Sequence, residues 1–175
     1  MAAISNYENY DALGLAELIN AGAASPGELL DEALQRAKSW NPRLNAIVHQ
    51  NEAKARAAIV AGLPGGPFRG VPFLLKDLGC ETADFPTHMG AEIFRDFKYG
   101  YESEIYLRIK AAGLVTFGRT ASPAFGIGPT TEARVYGGPT RNPWNTEHST
   151  GGSSGGAAAA VAAGIVPIAH GSDGG

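Results

Sequence analysis

The chain has 175 residues, of which 44% are hydrophobic, and this length suffices for one sizeable core. Its formal net charge of -3 lacks the basic excess that nucleic acid or an anionic membrane surface attracts, so we expect neither as a partner. A single cysteine excludes an intramolecular disulfide, and residues 1–10 lack a secretory pattern, so a cytoplasmic protein is expected. These values leave homo-oligomerisation open.

The first sixty residues carry the signals of amphipathic helices. Residues 25–28, Ser-Pro-Gly-Glu, match a capping box with proline at the first helical position. The dipeptide Asn41-Pro42 predicts that this helix stops near residue 40. Residues 45–49 favour a short extended piece. The predicted helices cover 12–20, 26–40 and 52–61, and their caps are Asp11, Ser25 and Asn51.

From residue 62 onwards, short apolar runs alternate with helical segments. Gly118 is expected to begin a loop, and residues 135–149 are expected to be irregular. Strands that alternate with helices predict an α/β protein. The sequence ends inside a glycine-rich turn, and we interpret it as an incomplete chain. The predicted strands cover 71–75, 114–117 and 165–169, and the predicted helices cover 103–112 and 153–163.

Residues 70–77, GVPFLLKD, place a lysine directly after an apolar run. If Lys76 is desolvated, its pKa falls and the neutral amine can accept a proton. Alternatively, a lysine at the end of a strand extends its amine to water. This stretch by itself leaves both interpretations open.

Residues 149–160, STGGSSGGAAAA, join a glycine-rich loop to a run of alanines. The hydroxyls of Ser153 and Ser154 are expected at a helix N-terminus, where N–H groups and the helix dipole favour an anion. The lysine of a Walker motif is missing after Gly156, which excludes a phosphate loop. A flexible linker is the alternative, although the alanines favour a packed helix.

Residues 170–175, HGSDGG, place a glycine turn after an apolar run. Such a turn can align backbone N–H groups as an oxyanion hole, and an ordinary strand-end turn is the alternative. The order of the three motifs resembles the amidase-signature family, with supporting matches at 111–114, 117–120, 122–123 and 141–145. The resemblance runs from about residue 67 to 175. It implies a mixed β-sheet covered by helices on both faces, with residues 1–61 packing on the core and 62–175 forming the first part of one catalytic domain.

The resemblance also implies a Ser–Ser–Lys triad that needs no cofactor or metal. Lys76 would be the general base, and Ser153, preceded by a cis peptide bond, would bridge it to a nucleophilic serine about two positions beyond Gly175. The backbone N–H groups of Gly174 and Gly175 would hold the oxyanion. The implied reaction is hydrolysis of a small or polymer-derived amide, or a carbamate or ester, through an acyl-enzyme that water cleaves. By their position after the Ser122-Pro123 loop, four residues are expected to line the acyl side: Phe125, Gly126, Ile127 and Gly128.

Other classes of protein fit the residues less well. A Ser–His–Asp hydrolase is disfavoured because none of the four histidines stands in a Gly-x-Ser-x-Gly context. Cys80 is interpreted as a buried thiol, and Asp173 as a brace of the glycine turn. A scaffold of the amidotransferase type, or a non-catalytic homologue that needs a partner, stays as the alternative. Residues 78–90 and 122–126 depart from the transamidating pattern and favour the stand-alone amidases.

Overall fold

A computed structural model describes Ile4 and residues 6–174. Five α-helices and five β-strands are found in this part of the chain. In chain order they are α1 Ala12–Asn20, α2 Pro26–Leu44, β1 Ile47–Gln50, α3 Glu52–Ala61, β2 Pro72–Lys76, α4 Glu104–Ala111, β3 Val115–Thr120, β4 Glu132–Ala133, β5 Gly138–Pro139 and α5 Gly155–Ala162.

The main sheet has three strands in the order β1-β3-β2. Strand β3 pairs antiparallel with β1 and parallel with β2, so the sheet is mixed. Both faces of β2 are covered: Phe73 and Leu75 pack with residues of α1 and α4, and Leu74 packs with residues of α2, α3 and α5. A strand buried on both faces reads as a continuous apolar run, which explains why residues 71–75 lack alternation. The predicted α/β architecture is confirmed.

The predicted helix caps are also confirmed. The Asp11 carboxylate accepts from the Gly14 N–H at 2.7 Å, and Ser25 forms the expected capping box. The Asn51 side chain accepts from the Lys54 N–H at 3.1 Å. Residues from both sides of position 62 share the two main core clusters, and the division of the chain there stays a prediction.

Helix α2 does not stop at Asn41-Pro42 as predicted but continues to Leu44. Pro42 lies in the last turn, where only one helical hydrogen bond is lost. Leu44 is fully buried beside Ala46 and Ala159, which stabilises the extra turn. The Asn41 side chain accepts from the backbone N–H groups of residues 46 and 47, at 2.9 and 2.7 Å, and fixes the exit of the chain.

Two strand predictions were wrong. Strand β3 runs to Thr120 instead of giving way to a loop at Gly118, because the Arg119 guanidinium finds acceptors inside the protein, at the carbonyls of Lys76 (2.9 Å) and Cys80 (3.2 Å). Residues 165–169 make only one isolated bridge, between Ala169 and Leu74. The chain there contains Pro167, which has no N–H to donate to a ladder. No helix among the described residues is long and apolar enough to cross a membrane.

Candidate active site

Lys76 stands at the end of β2, and its side chain is fully buried. Its side-chain nitrogen Nζ donates to the Ser153 hydroxyl at 2.7 Å and to the Ser172 carbonyl at 3.1 Å. The amine therefore does not extend to water, which decides between the two interpretations of this lysine. The contact joins residues 77 positions apart in the sequence.

The environment of Lys76 makes its ammonium easier to deprotonate than that of an ordinary lysine. Burial lowers its pKa below the ordinary lysine value, and the Asp173 carboxylate opposes this effect by favouring the charged form. Loss of hydration disfavours the ammonium, so a larger share of the amine is free to accept a proton near neutral pH. This is the condition that a lysine base requires.

Ser153 is held in place by the glycine-rich start of α5. The peptide bond between Gly152 and Ser153 is cis. A Cβ on Gly155 would lie 2.3 Å from two threonine hydroxyls, and one on Gly156 would lie 2.4 Å from the Ala121 nitrogen. Glycine at 155 therefore lets the helix lie against the two threonines, and glycine at 156 lets it lie against the backbone directly after β3. The segment is a packed helix start, and the linker interpretation was wrong.

The first two N–H groups of this helix have protein acceptors. The Gly155 N–H donates to the Thr131 hydroxyl at 3.2 Å, and the Gly156 N–H donates to the Ala121 carbonyl at 3.3 Å. Ser154 occupies the N-cap position, but its hydroxyl caps no helical N–H. Internal acceptors thus take the first two N–H groups, and the anion site expected at this N-terminus stays a prediction.

The Ser154 hydroxyl instead clamps the third motif. It accepts from the Ser172 N–H and donates to the Ser172 carbonyl, both at 3.1 Å. The same carbonyl accepts from Lys76. All three sequence motifs therefore meet at Ser172. The sequence signalled this residue only through its place in the glycine turn.

Behind Lys76 lies a buried polar cluster that the sequence interpretation missed. The fully buried Asp77 carboxylate accepts from the His88 backbone N–H at 2.9 Å and from the Tyr136 hydroxyl at 2.5 Å. The Arg119 guanidinium lies 3.8 Å from the other carboxylate oxygen. Burial lowers the pKa of Arg119, whereas Asp77 raises it. The position of these residues in the sequence could have indicated the cluster, because Lys76-Asp77 and Arg119 stand at the same ends of two parallel neighbouring strands.

The remaining predicted site residues surround this centre unevenly. Gly174 is exposed with open space around it, and Gly175 lies outside the described residues. Phe125 and Ile127 are exposed, and a Cβ on Gly126 would lie 3.9 Å from that of Ser153. Gly128 is exposed with a positive φ of 121°. An open cleft of about 450 Å³ is lined by Thr150, Gly152, Ser153, Ser154, Gly155, Ala158, Gly171, Ser172 and Asp173.

The competing groups behave as structural residues. Cys80 is buried, as expected, and burial raises the pKa of its thiol to about 11. Burial lowers the pKa of His49 to about 4, which keeps its imidazole neutral. The described residues contain no cluster of three or more His, Cys, Asp or Glu that could hold a metal ion.

The contact between the buried lysine and the first serine of the glycine-rich helix start agrees with the amidase-signature resemblance. The family model described as Amidase matches residues 28–175, and the chain belongs to this family. It is 41% identical over 165 residues to the 6-aminohexanoate-cyclic-dimer hydrolase of Paenarthrobacter ureafaciens. The matched region covers 93% of this chain and 33% of that protein.

Two further comparisons bear on function. A solved structure of 6-aminohexanoate cyclic dimer hydrolase complexed with substrate matches with a TM-score of 0.89 and 38% identity, over 95% of this chain and 34% of that one. The A-type subunit of the glutamyl-tRNA(Gln) amidotransferase of Mycobacterium ulcerans is 40% identical over 173 residues, which is 94% of this chain and 35% of that protein. The chain spans about a third of the length of the curated relatives it matches.

Proposed function

We propose that the protein carrying this chain is an amide-bond hydrolase in which Lys76 is the general base and Ser153 relays its proton. The observation that carries the proposal is the 2.7 Å contact between the Lys76 amine and the Ser153 hydroxyl. Burial of Lys76 and its lowered pKa support the role of base. The cis peptide bond before Ser153 agrees with the Ser–cisSer–Lys arrangement that the family resemblance implies.

The proposed proton path runs through two hydroxyls. Neutral Lys76 accepts the Ser153 proton while Ser153 accepts the proton of a nucleophilic serine, which by resemblance falls about two positions after Gly175. The nucleophile attacks the amide carbon, and the proton returns along the same path to the leaving amine. Water then hydrolyses the acyl-enzyme by the same relay. Backbone N–H groups of Gly174 and Gly175 would hold the oxyanion, a contribution of about 10²–10³-fold in rate for one donor.

For the substrate, we propose a small or polymer-derived amide rather than a tRNA-bound one. The cyclic-dimer hydrolase is a relative by sequence and by structure, which supports a stand-alone amidase. The residues proposed for the acyl side are Phe125, Gly126, Ile127 and Gly128, because Gly126 lies near Ser153. The amidotransferase relative supports the alternative, a chain that acts only together with a partner.

The test uses the complete protein that carries this sequence, purified alone. We expect hydrolysis of the 6-aminohexanoate cyclic dimer or of an anilide, measured as released amine. Lys76→Ala should lower kcat by about 10²–10⁴-fold, the range for loss of a general base. Lys98→Ala is the matched control, because Lys98 is exposed.

Two results would contradict the proposal. Full activity of Lys76→Ala would exclude this lysine as the base. Activity that depends on an added partner and on glutamine-derived ammonia would favour the amidotransferase alternative.

A further inference from the structure

His170 joins the third motif to the strand that carries Lys76. Its backbone N–H donates to the Leu74 carbonyl at 2.9 Å, directly after the single parallel bridge between Ala169 and Leu74. Its imidazole Nδ1 accepts from the Lys76 backbone N–H at 3.3 Å. The backbone of His170 thus contacts Leu74, and its side chain contacts Lys76, two positions further along β2.

The second contact replaces a bond of the sheet. In a parallel pair, a residue that donates to position 74 also accepts, through its own carbonyl, from the N–H of position 76. Here the Lys76 N–H is bonded to the His170 imidazole instead. The backbone after His170 is therefore free to turn away from β2, although the Lys76 N–H keeps an acceptor.

The turn released in this way brings Ser172 to the Lys76 amine. The Ser172 carbonyl accepts from the amine at 3.1 Å, and Ser154 holds Ser172 by two hydrogen bonds. If residue 170 continued the ladder through its own carbonyl, the chain would stay extended along β2. The departure of the turn and the position of the Lys76 backbone are thus linked through one imidazole.

We propose that His170 is a positioning residue of the active site, whose unprotonated Nδ1 takes the place of a backbone carbonyl and fixes the Lys76 backbone against the Ser172 turn. The proposal rests on the proposed function, since the base that it positions is Lys76. His170 acts through the strand and the turn and is not assigned a contact with substrate.

Three variants separate the acceptor from the bulk of the ring. In His170→Asn the amide oxygen lies at the position of Nδ1 and restores the acceptor. In His170→Gln the amide oxygen lies one bond further out, near Nε2, and His170→Leu has no acceptor. We expect kcat to fall about 10- to 100-fold in the Leu and Gln variants with KM little changed, since misplacement by about 1 Å can cost 10²-fold. His170→Asn should restore most of kcat.

A pH profile gives a readout that a purely structural role would not move. Burial and the positive charges of Lys76 on β2 and Arg119 on β3 lower the pKa of His170, and Glu81 in the loop after β2 raises it. Protonation at Nδ1 would remove the acceptor. In wild type, the slope of log(kcat/KM) against pH should therefore increase from 1 to 2 below the pKa of His170. In His170→Asn the slope should stay at 1.

Hydrogen exchange of the Lys76 amide tests the contact without any reference to activity. We expect faster exchange in His170→Leu and His170→Gln than in wild type and in His170→Asn. Each protein is measured at the same number of degrees below its own Tm. Wild-type kcat and amide protection in His170→Leu would overturn the proposal. So would equal defects in the Asn and Gln variants. Failure of the proposed function gives a different pattern, in which the variants change amide exchange but Lys76→Ala keeps its activity.

Discussion

The close approach of α5 to the end of β3 gives a prediction with a calculable size. In Gly156→Ala the new Cβ would lie 2.4 Å from the Ala121 nitrogen and 2.7 Å from the carbonyl oxygens of Ala121 and Ala46. All three are backbone atoms, so no side chain can move aside. The start of the helix must retreat by about 1 Å to reach an ordinary contact of 3.4 Å.

Such a retreat has two measurable effects. Overpacking of this kind typically lowers the free energy of unfolding by about 1–3 kcal/mol. Ser153 lies two positions before the first residue of α5, so its 2.7 Å contact with the Lys76 amine would lengthen beyond hydrogen-bonding distance. We expect kcat/KM to fall about 100-fold, the cost of a 1 Å misplacement in an active site.

The assay is urea denaturation together with amide hydrolysis by the complete protein. Gly27→Ala is the matched control, because Gly27 lies in the first turn of α2 and its Cβ would meet nothing closer than 3.8 Å. The control should be neutral or more stable by up to about 1 kcal/mol. A Gly156→Ala protein with wild-type stability and kcat/KM would refute the close packing of α5 and its role in placing Ser153.

Three further predictions follow from burial. Because burial lowers the pKa of Lys76, the unfolded chain binds this proton more tightly than the folded one. The free energy of unfolding of wild type, relative to that of Lys76→Met, should therefore rise as the pH rises from the lowered pKa towards 10.5. A difference that does not change with pH would contradict this prediction. Tyr136→Phe removes the donor to the Asp77 carboxylate and should lower the free energy of unfolding by about 1.5–3 kcal/mol in urea titrations, whereas exposed Tyr101→Phe should not. Because burial raises the pKa of Cys80 to about 11, a thiol reagent at pH 8 should label it only in denaturant, and rapid labelling of the folded protein would argue against its burial.

The features that local sequence could predict are those that depend on a few neighbouring residues. The caps at Asp11, Ser25 and Asn51 were correct because a capping hydrogen bond spans only three positions. The buried strand at residues 71–75 was correct because an apolar run bounded by turn signals must be covered on both faces. The family resemblance then indicated Lys76 and Ser153, whose catalytic roles stay predictions.

Local rules failed where a distant partner reversed a local preference. Asn41-Pro42 indicates a helix end, but burial of Leu44 extends α2 by another turn. Gly118 indicates the start of a loop, but the carbonyls of Lys76 and Cys80 satisfy the Arg119 guanidinium inside the sheet, and β3 continues. In each case the deciding contact lies outside the window that propensity can see.

The sequence by itself determined the α/β class, the local helix signals and the three glycine-flanked motifs. Only the tertiary structure decided that Lys76 is buried, that its amine contacts Ser153, and that His170 supplies the acceptor for its N–H. The physical reason is that desolvation and hydrogen bonding depend on which atoms surround a group. For Lys76 those atoms come from residues 77 to 96 positions further along the chain.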